Sequence, residues 1–263
     1  MKRLIATLII LAFMVVPTMA QERADTLGVY GTLVNNNPLG GTFESGIDMH
    51  LFEFDGAAND LVTIQMIALS NDLDPALVLL GIDGSIVGWN DDSNNQLNAT
   101  INAELPYSGT YFVLATTFRS LYEQGEFQGD YQIVLNGVSP IDPQNSTTDD
   151  DLLPLEPDNV YEAITLDAST PVFLATLTVQ DTLAVNLYAE SDTLDTVLYV
   201  FNTKGERIAL DDDSSGYNYS AELKGVPLDE PGQYMIMVVT RGYEREEERD
   251  NINGFMNLWV DRS

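Results

Sequence analysis

Aspartates stand at matching places in the two halves of the chain, where they could bind a cation. Asp74 precedes one apolar run, Asp91 and Asp92 follow the next, and Asp83-Gly84 lies between the runs. If Asp83 and Gly84 form a two-residue hairpin loop, Asp74 and Asp91 are diagonal neighbours, about 7–8 Å apart at the backbone. If Gly84 forms a bulge, Asp74 faces Asp92. Either register brings carboxylates together.

The second half repeats this arrangement, with Asp195 against Asp212 or Asp213. Clustered carboxylates repel one another unless a cation or a proton lies between them. Ca²⁺ takes about six to eight oxygen ligands and is the cofactor that such a cluster favours outside the cell. The predicted calcium ligands are Asp72, Asp74, Asp91, Asp92, Asp192, Asp195, Asp212 and Asp213. The alternative is that these aspartates accept hydrogen bonds from loop amides and bind no metal.

Residues for catalysis are scarce, and the sequence predicts a protein that is not an enzyme. The chain has one histidine, His50, in the alternating stretch 48–54, where a place in a strand is the expected role. It has no cysteine, no Gly-x-Ser-x-Gly motif and no Gly-x-x-x-x-Gly-Lys phosphate loop. With 41 acidic residues, a carboxylate pair for glycoside hydrolysis is conceivable, but nothing distinguishes one. An unrecognised hydrolase is therefore a less favoured alternative.

Aromatic residues in polar segments are the remaining candidates for binding. Aromatic side chains on loops are typical of contacts with a sugar or a protein. They also pack over the open ends of a β-sandwich, and that interpretation stays open. The candidates are Phe118, Tyr122, Phe127, Tyr217, Tyr219 and Tyr243.

An internal repeat organises all of these residues. The stretch 60–93 aligns without a gap with 181–214, so that Asp74 meets Asp195 and Gly84 meets Gly205. Within each unit the apolar residues alternate or form short continuous runs, and Gly, Asn, Asp and Pro separate them, which is typical of β-strands. About eight strands per unit predict an all-β chain of two tandem sandwiches.

These motifs resemble the bacterial pre-peptidase C-terminal domain. The first unit has Asp74-Pro75 before an apolar strand, then Asp83-Gly84, then Asn90-Asp91-Asp92, and it closes with Gly129-Asp130-Tyr131. The second unit departs from the pattern, with Thr196 in place of the proline and Gly254-Phe255-Met256 at its end. The resemblance implies jelly-roll-like β-sandwiches and a non-catalytic accessory role beside secreted enzymes.

The predicted order along the chain is a signal peptide, two domains and a linker. Residues 1–20 have a basic start, an apolar run and a small-residue cleavage site, which is the pattern of a secretory signal. The domains are 25–137 and 158–263, and the acidic, proline-rich stretch 138–157 is predicted to be an extended linker.

The formal net charge of −30 makes nucleic acid and anionic lipid poor partners. The sequence therefore predicts a secreted or cell-envelope protein that binds an extracellular polysaccharide or a protein partner. The alternative is a structural spacer without a ligand of its own.

Overall fold

The computed structural model describes residues 28–71, 73–93, 98–118, 120, 128–141, 152–212, 220–241 and 252–263. The predicted signal peptide lies outside these ranges. Within them the chain forms eighteen β-strands, which confirms the all-β prediction. No helix of the described ranges is long and apolar enough to cross a membrane.

The first half of the chain forms a β-sandwich of two sheets. Its strands are β1 (Gly31–Thr32), β2 (Leu39–Phe43), β3 (His50–Gly56), β4 (Leu61–Ala68), β5 (Pro75–Gly81), β6 (Ile86–Asn90), β7 (Ala99–Glu104), β8 (Gly109–Thr117) and β9 (Gly129–Asn136). One sheet has the order β1-β3-β8-β5-β6 and the other the order β2-β9-β4-β7. Side chains of both sheets, among them Phe54, Ile64 and Tyr131, share one buried core.

The second half forms another sandwich with the same strand order. Its strands are β10 (Leu153–Leu155), β11 (Asn159–Asp167), β12 (Val172–Val179), β13 (Leu183–Glu190), β14 (Thr196–Phe201), β15 (Arg207–Asp211), β16 (Ala221–Leu228), β17 (Gly232–Thr240) and β18 (Asn253–Arg262). The sheets are β10-β12-β17-β14-β15 and β11-β18-β13-β16. In each half only the first pair, β1 with β3 and β10 with β12, is parallel among the described pairings.

The alternation of inward and outward side chains along β4 explains why its sheet has one buried face. In β4 the side chains of Val62, Ile64 and Met66 are buried, whereas Leu61 and Gln65 point outward and are exposed. Because successive residues of a strand point to opposite faces, this sequence covers the core and leaves the other face to solvent.

Details outside the strands are also duplicated. The Tyr111 hydroxyl donates to the carbonyl of Tyr107 (2.7 Å), and the Tyr234 hydroxyl donates to the carbonyl of Glu230 (2.9 Å). Each of these tyrosines lies near the start of its strand, β8 or β17, and ties it to the preceding turn. The two halves therefore agree in strand order and in this local hydrogen bond.

A third apolar core joins the two halves. It lies between the sheet that contains β8 and the sheet that contains β17, and its buried members are Met49, Leu51, Leu80, Phe112, Leu114, Leu152, Val172, Leu174, Phe201, Met235 and Met237. This contact explains why every residue of β8 is buried, since both faces of its sheet are covered. The four sheets thus stack as successive layers, and the two outer sheets are β2-β9-β4-β7 in the first half and β11-β18-β13-β16 in the second.

The contact between the halves is nearly symmetric. The Leu51 N–H donates to the Gly205 carbonyl (2.8 Å), and the Val172 N–H donates to the Gly84 carbonyl (3.3 Å). Gly84 and Gly205 correspond in the repeat alignment, and β3 and β12 occupy the same place in their sheets, so each hairpin turn bonds to the equivalent strand of the other half. The strand pairings place Val172 level with Met49, so the two bonds are offset by two residues along that strand. Such a pairing of one surface with its own copy is the arrangement of a twofold-symmetric dimer, here within a single chain.

The end of the predicted linker belongs to the folded second half. Leu153–Leu155 forms β10, which pairs in parallel with β12. Leu152 is buried in the core between the halves and Leu155 in the core of the second half. Leu153 and Pro154 between them are exposed, and Pro154 is tolerated because β10 is an edge strand. The domain boundaries themselves stay a prediction.

Candidate functional site

The β5–β6 hairpin combines both turn geometries that the sequence left open. Gly84 has a φ of +83°, and its N–H donates to the carbonyl of residue 81 at the turn. A second irregularity farther along the strands shifts the register again, so that Leu77 pairs with Asn90. In that register Asp74 and Asp91 are diagonal neighbours across the open end of the hairpin.

Asp74 and Asp195 have the same backbone role in the two halves. The Asp74 carbonyl accepts a hydrogen bond from the Phe118 N–H (2.9 Å), and the Asp195 carbonyl accepts one from the Arg241 N–H (2.7 Å). Each aspartate buries its Oδ1 oxygen. Both therefore help to fix the chain just beyond β8 or β17.

The other predicted calcium ligands occupy more open positions. Asp91 Oδ1 accepts a hydrogen bond from the Asp92 N–H (2.8 Å), and Asp92 is exposed. Asp212 forms an ion pair with Arg241 (2.6 Å), and Asp192 is exposed on the turn after β13. The two remaining candidates, Asp72 and Asp213, lie outside the described residues.

Calcium binding stays a prediction. Among the residues that the structure describes, no group of three or more His, Cys, Asp or Glu side chains is arranged to hold a metal ion. The predicted clusters each include one aspartate that the structure does not describe, so neither the metal nor the hydrogen-bonding interpretation is tested by the geometry.

Two residues that were not among the predicted site residues connect the hairpins to the opposite sheet. Asn90 Oδ1 accepts a hydrogen bond from the Thr100 N–H (2.7 Å), and Asp211 Oδ2 accepts one from the Glu222 N–H (2.8 Å). Asn90 and Asp211 correspond in the repeat alignment, and this match is the feature of the sequence from which their shared role could have been predicted.

His50 lies in β3, as expected for a strand residue, and is buried among aromatic rings. Its ring stacks on Tyr30 with centroids 3.8 Å apart, and Nδ1 lies 2.6 Å from the Tyr131 hydroxyl. Burial lowers the pKa of His50 to about 3, because the charged imidazolium would lose its hydration. The ring is therefore neutral near neutral pH and contributes to packing.

Only one of the predicted loop aromatics lies in the described residues. Phe118 is half-buried directly after β8, and its backbone carries the hydrogen bond to Asp74. The other five, Tyr122, Phe127, Tyr217, Tyr219 and Tyr243, lie outside the described residues. Their role in binding stays a prediction.

A different aromatic residue stands out on the outer sheet of the second half. Phe255 on β18 is 62% exposed, although its neighbours Gly254 and Met256 are buried. It borders a surface pocket of about 320 Å³ whose other lining residues are all polar. They are Glu190, Ser191, Asp192, Thr193, Ser220 and Asn257. The pocket therefore combines one apolar ring with carboxylate, hydroxyl and amide groups.

The Ser191 hydroxyl fixes the backbone around this pocket through three hydrogen bonds. Ser191 Oγ donates to the Phe255 carbonyl (2.6 Å) and accepts hydrogen bonds from the Thr193 N–H (3.2 Å) and the Leu194 N–H (3.0 Å). Asn257 is oriented by the Ala163 N–H, which donates to its Oδ1 (3.0 Å). These contacts place the polar groups before any ligand arrives.

Two further rings lie on the same face of the sheet. Tyr188 on β13 pairs with Trp259 on β18, and their rings stack with centroids 4.9 Å apart and planes 18° apart. The next outward pair is Glu190 with Asn257, at the edge of the pocket. Because outward positions on a strand alternate, Phe255, Asn257 and Trp259 form one row. We call the surface formed by Tyr188, Glu190 and this row the aromatic face.

The alternation in β18 was the signal for this face. Gly254, Met256, Leu258 and Val260 are buried, which leaves Phe255, Asn257 and Trp259 outward. The aromatics predicted to bind lie in polar segments between strands, whereas Phe255 and Trp259 lie on the solvent side of a strand.

No family model matches the chain, and no curated protein matches its sequence. Among solved structures, it is similar to the pre-peptidase C-terminal domain of a collagenase from Bacillus anthracis, with 14% identity and a TM-score of 0.32 over 40% of this chain and 93% of that one.

Two other similarities are comparably distant. The PliG inhibitor of g-type lysozyme from Salmonella Typhimurium has 16% identity and a TM-score of 0.28, over 40% of this chain and 94% of that one. The CUB1-EGF-CUB2 region of human MASP-1/3 has 10% identity and a TM-score of 0.25, over 88% of this chain and 94% of that one. None of these similarities identifies a ligand for this chain.

Proposed function

We propose that this chain is a secreted, non-catalytic binding protein made of two tandem pre-peptidase C-terminal-like sandwiches, and that it contacts an extracellular partner through the aromatic face. The observation that carries the proposal is the exposed Phe255 ring beside a pocket lined by polar groups. Large exposed rings next to convergent polar groups are typical of binding sites. Secretion is supported by the signal-peptide pattern in residues 1–20.

The repeat gives this proposal an internal comparison. In the first half the pair that corresponds to Tyr188 and Trp259 is Ile67 and Gln132. Phe255 corresponds to Gln128 when the strand register is extended from this pair and to Asp130 in the closing motif, and neither residue is aromatic. The same sheet therefore forms without the three rings, and the aromatic face is not a requirement of the fold.

Binding of the labelled mature protein to washed cells of its own organism tests the proposal. We expect saturable binding that Phe255→Ala weakens about tenfold or more, as is usual for truncation of an aromatic anchor. Trp89→Ala is the matched control, since Trp89 is an exposed ring (44%) on β6, away from the aromatic face. Absence of saturable binding would contradict the proposal. So would hydrolysis of a peptide or glycoside that is lost when one carboxylate is replaced.

A structural spacer is the second candidate, and the core between the two halves favours it. A buried apolar junction fixes the halves against each other, which suits a rigid connecting element. A spacer without a ligand would show no saturable binding to cells, with or without Phe255→Ala.

A further inference from the structure

We infer that the aromatic face binds a polysaccharide chain without anionic groups, with one sugar over the Phe255 ring and its hydroxyl or amino groups directed into the adjoining pocket. This inference rests on the proposed function and names the class of ligand.

The ring and the polar groups together match the two sides of a sugar. The face of an aromatic ring carries partial negative charge, which favours the polarised C–H groups on the flat side of a pyranose. The edge of the pyranose carries hydroxyls, which need hydrogen-bond partners when water is displaced. Glu190 and Asp192 supply carboxylate acceptors in the same pocket, and Asn257 supplies an amide.

The carboxylates also decide the charge of the ligand. Glu190 and Asp192 line a pocket whose described residues include no Lys, Arg or His, on a protein with a formal net charge of −30. An anionic sugar placed there would meet like charges in a partly desolvated site, which is unfavourable. Hydroxyls and protonated amines instead donate hydrogen bonds to carboxylates.

The length of the face favours a chain over a single sugar. Phe255 and Trp259 are four residues apart on one strand, which separates them by roughly 13 Å. Asn257 lies between them on the same side, and Glu190 faces Asn257 on β13. Two aromatic surfaces with polar groups between them suit several consecutive sugars of an extended polymer.

The chain offers a direct spectroscopic test, since it has two tryptophans. Trp89→Phe leaves Trp259, on the aromatic face, as the only tryptophan. We expect its fluorescence to change in a saturable way on titration with oligosaccharides of glucose, mannose, galactose, N-acetylglucosamine or glucosamine, for at least one of them. Polygalacturonate, which is anionic, should leave the signal unchanged. A response to polygalacturonate alone, or to none of the neutral and amine-bearing probes, would overturn the inference.

Variants then locate the ligand. In the Trp89→Phe background, Phe255→Ala should raise the dissociation constant of the bound oligosaccharide about tenfold or more. Leu61→Ala is the control, because Leu61 is 72% exposed on the outer sheet of the first half. Equal affinities in the two variants would place the sugar elsewhere and refute the inference. Circular dichroism establishes that both variants are folded.

Treatment of the cells separates this inference from the proposed function. Periodate cleaves the vicinal diols of cell-surface polysaccharides, whereas protease removes exposed proteins. We expect periodate to abolish cell binding and protease to leave it. The reverse result would retain the proposed binding function but assign a protein as the partner, which would overturn the polysaccharide inference. No binding to untreated cells would count against the proposed function itself.

Discussion

At the scale of single residues, His50 illustrates how packing determines protonation. Its ring stacks on Tyr30, lies tilted against Phe43 and faces the Tyr131 hydroxyl in a site that is almost closed to solvent. An imidazolium there would lose hydration without gaining a carboxylate partner, since its hydrogen-bond partner is a phenol whose own pKa is raised by burial. The sequence placed His50 in a strand correctly, but the alternation of residues 48–54 could not reveal which rings surround it.

The lowered pKa of His50 predicts a specific loss of stability in mild acid. The pKa is about 3 in the folded protein and about 6.5 in the unfolded chain, so between these values only the unfolded state binds the extra proton. Stability therefore falls as pH falls below about 6.5, by up to roughly 1.4 kcal/mol per pH unit. His50→Gln removes this contribution. Urea unfolding of both proteins from about pH 7.5 to 4.5 measures it, and a constant difference between them would contradict it.

At the scale of elements, the hairpins show what repeat alignment and turn chemistry can predict. Asp83-Gly84 predicted a tight turn, and Gly84 has the left-handed φ that this dipeptide favours. The sequence did not predict the second irregularity, because a shift in strand register depends on the neighbouring strand β8 as well as on the turn. Nor did it predict what Gly84 contacts, since Val172 comes from the other half of the chain.

Gly84 and Gly46 form a matched pair for testing that contact. Both have left-handed φ values, +83° and +80°, so alanine at either position is strained by about 1–2 kcal/mol. A Cβ on Gly46 meets nothing within 4 Å, whereas one on Gly84 would collide with the backbone carbonyl of Val172. We therefore expect Gly84→Ala to lower the free energy of unfolding by a further 1–3 kcal/mol, roughly, beyond Gly46→Ala. Equal losses in denaturant unfolding would contradict the contact.

At the scale of the whole molecule, the main feature is the core between the two sandwiches. The repeat, the all-β class and the inward residues of the outer sheets could be predicted, because each depends on local periodicity. The contact between the halves was less clearly indicated by the sequence. Continuous apolar runs such as Tyr111–Ala115 indicate a strand that is buried on both faces, but they do not identify the partner. The aromatic face was missed for the opposite reason, since its rings alternate with core residues and resemble ordinary strand sequence.

The symmetric core predicts that the two halves stay together without a covalent connection. A specific protease site inserted between residues 145 and 148 allows the folded protein to be cut after purification. Because Leu80, Phe112, Phe201 and Met235 are each less than 2% exposed in the intact chain, separation would expose a large apolar surface to water, which is unfavourable. We expect the cut protein to elute from a sizing column at the position of the uncut control, and to separate only in denaturant. Elution of two half-size species in native buffer would mean that the linker, and not the shared core, holds the sandwiches together.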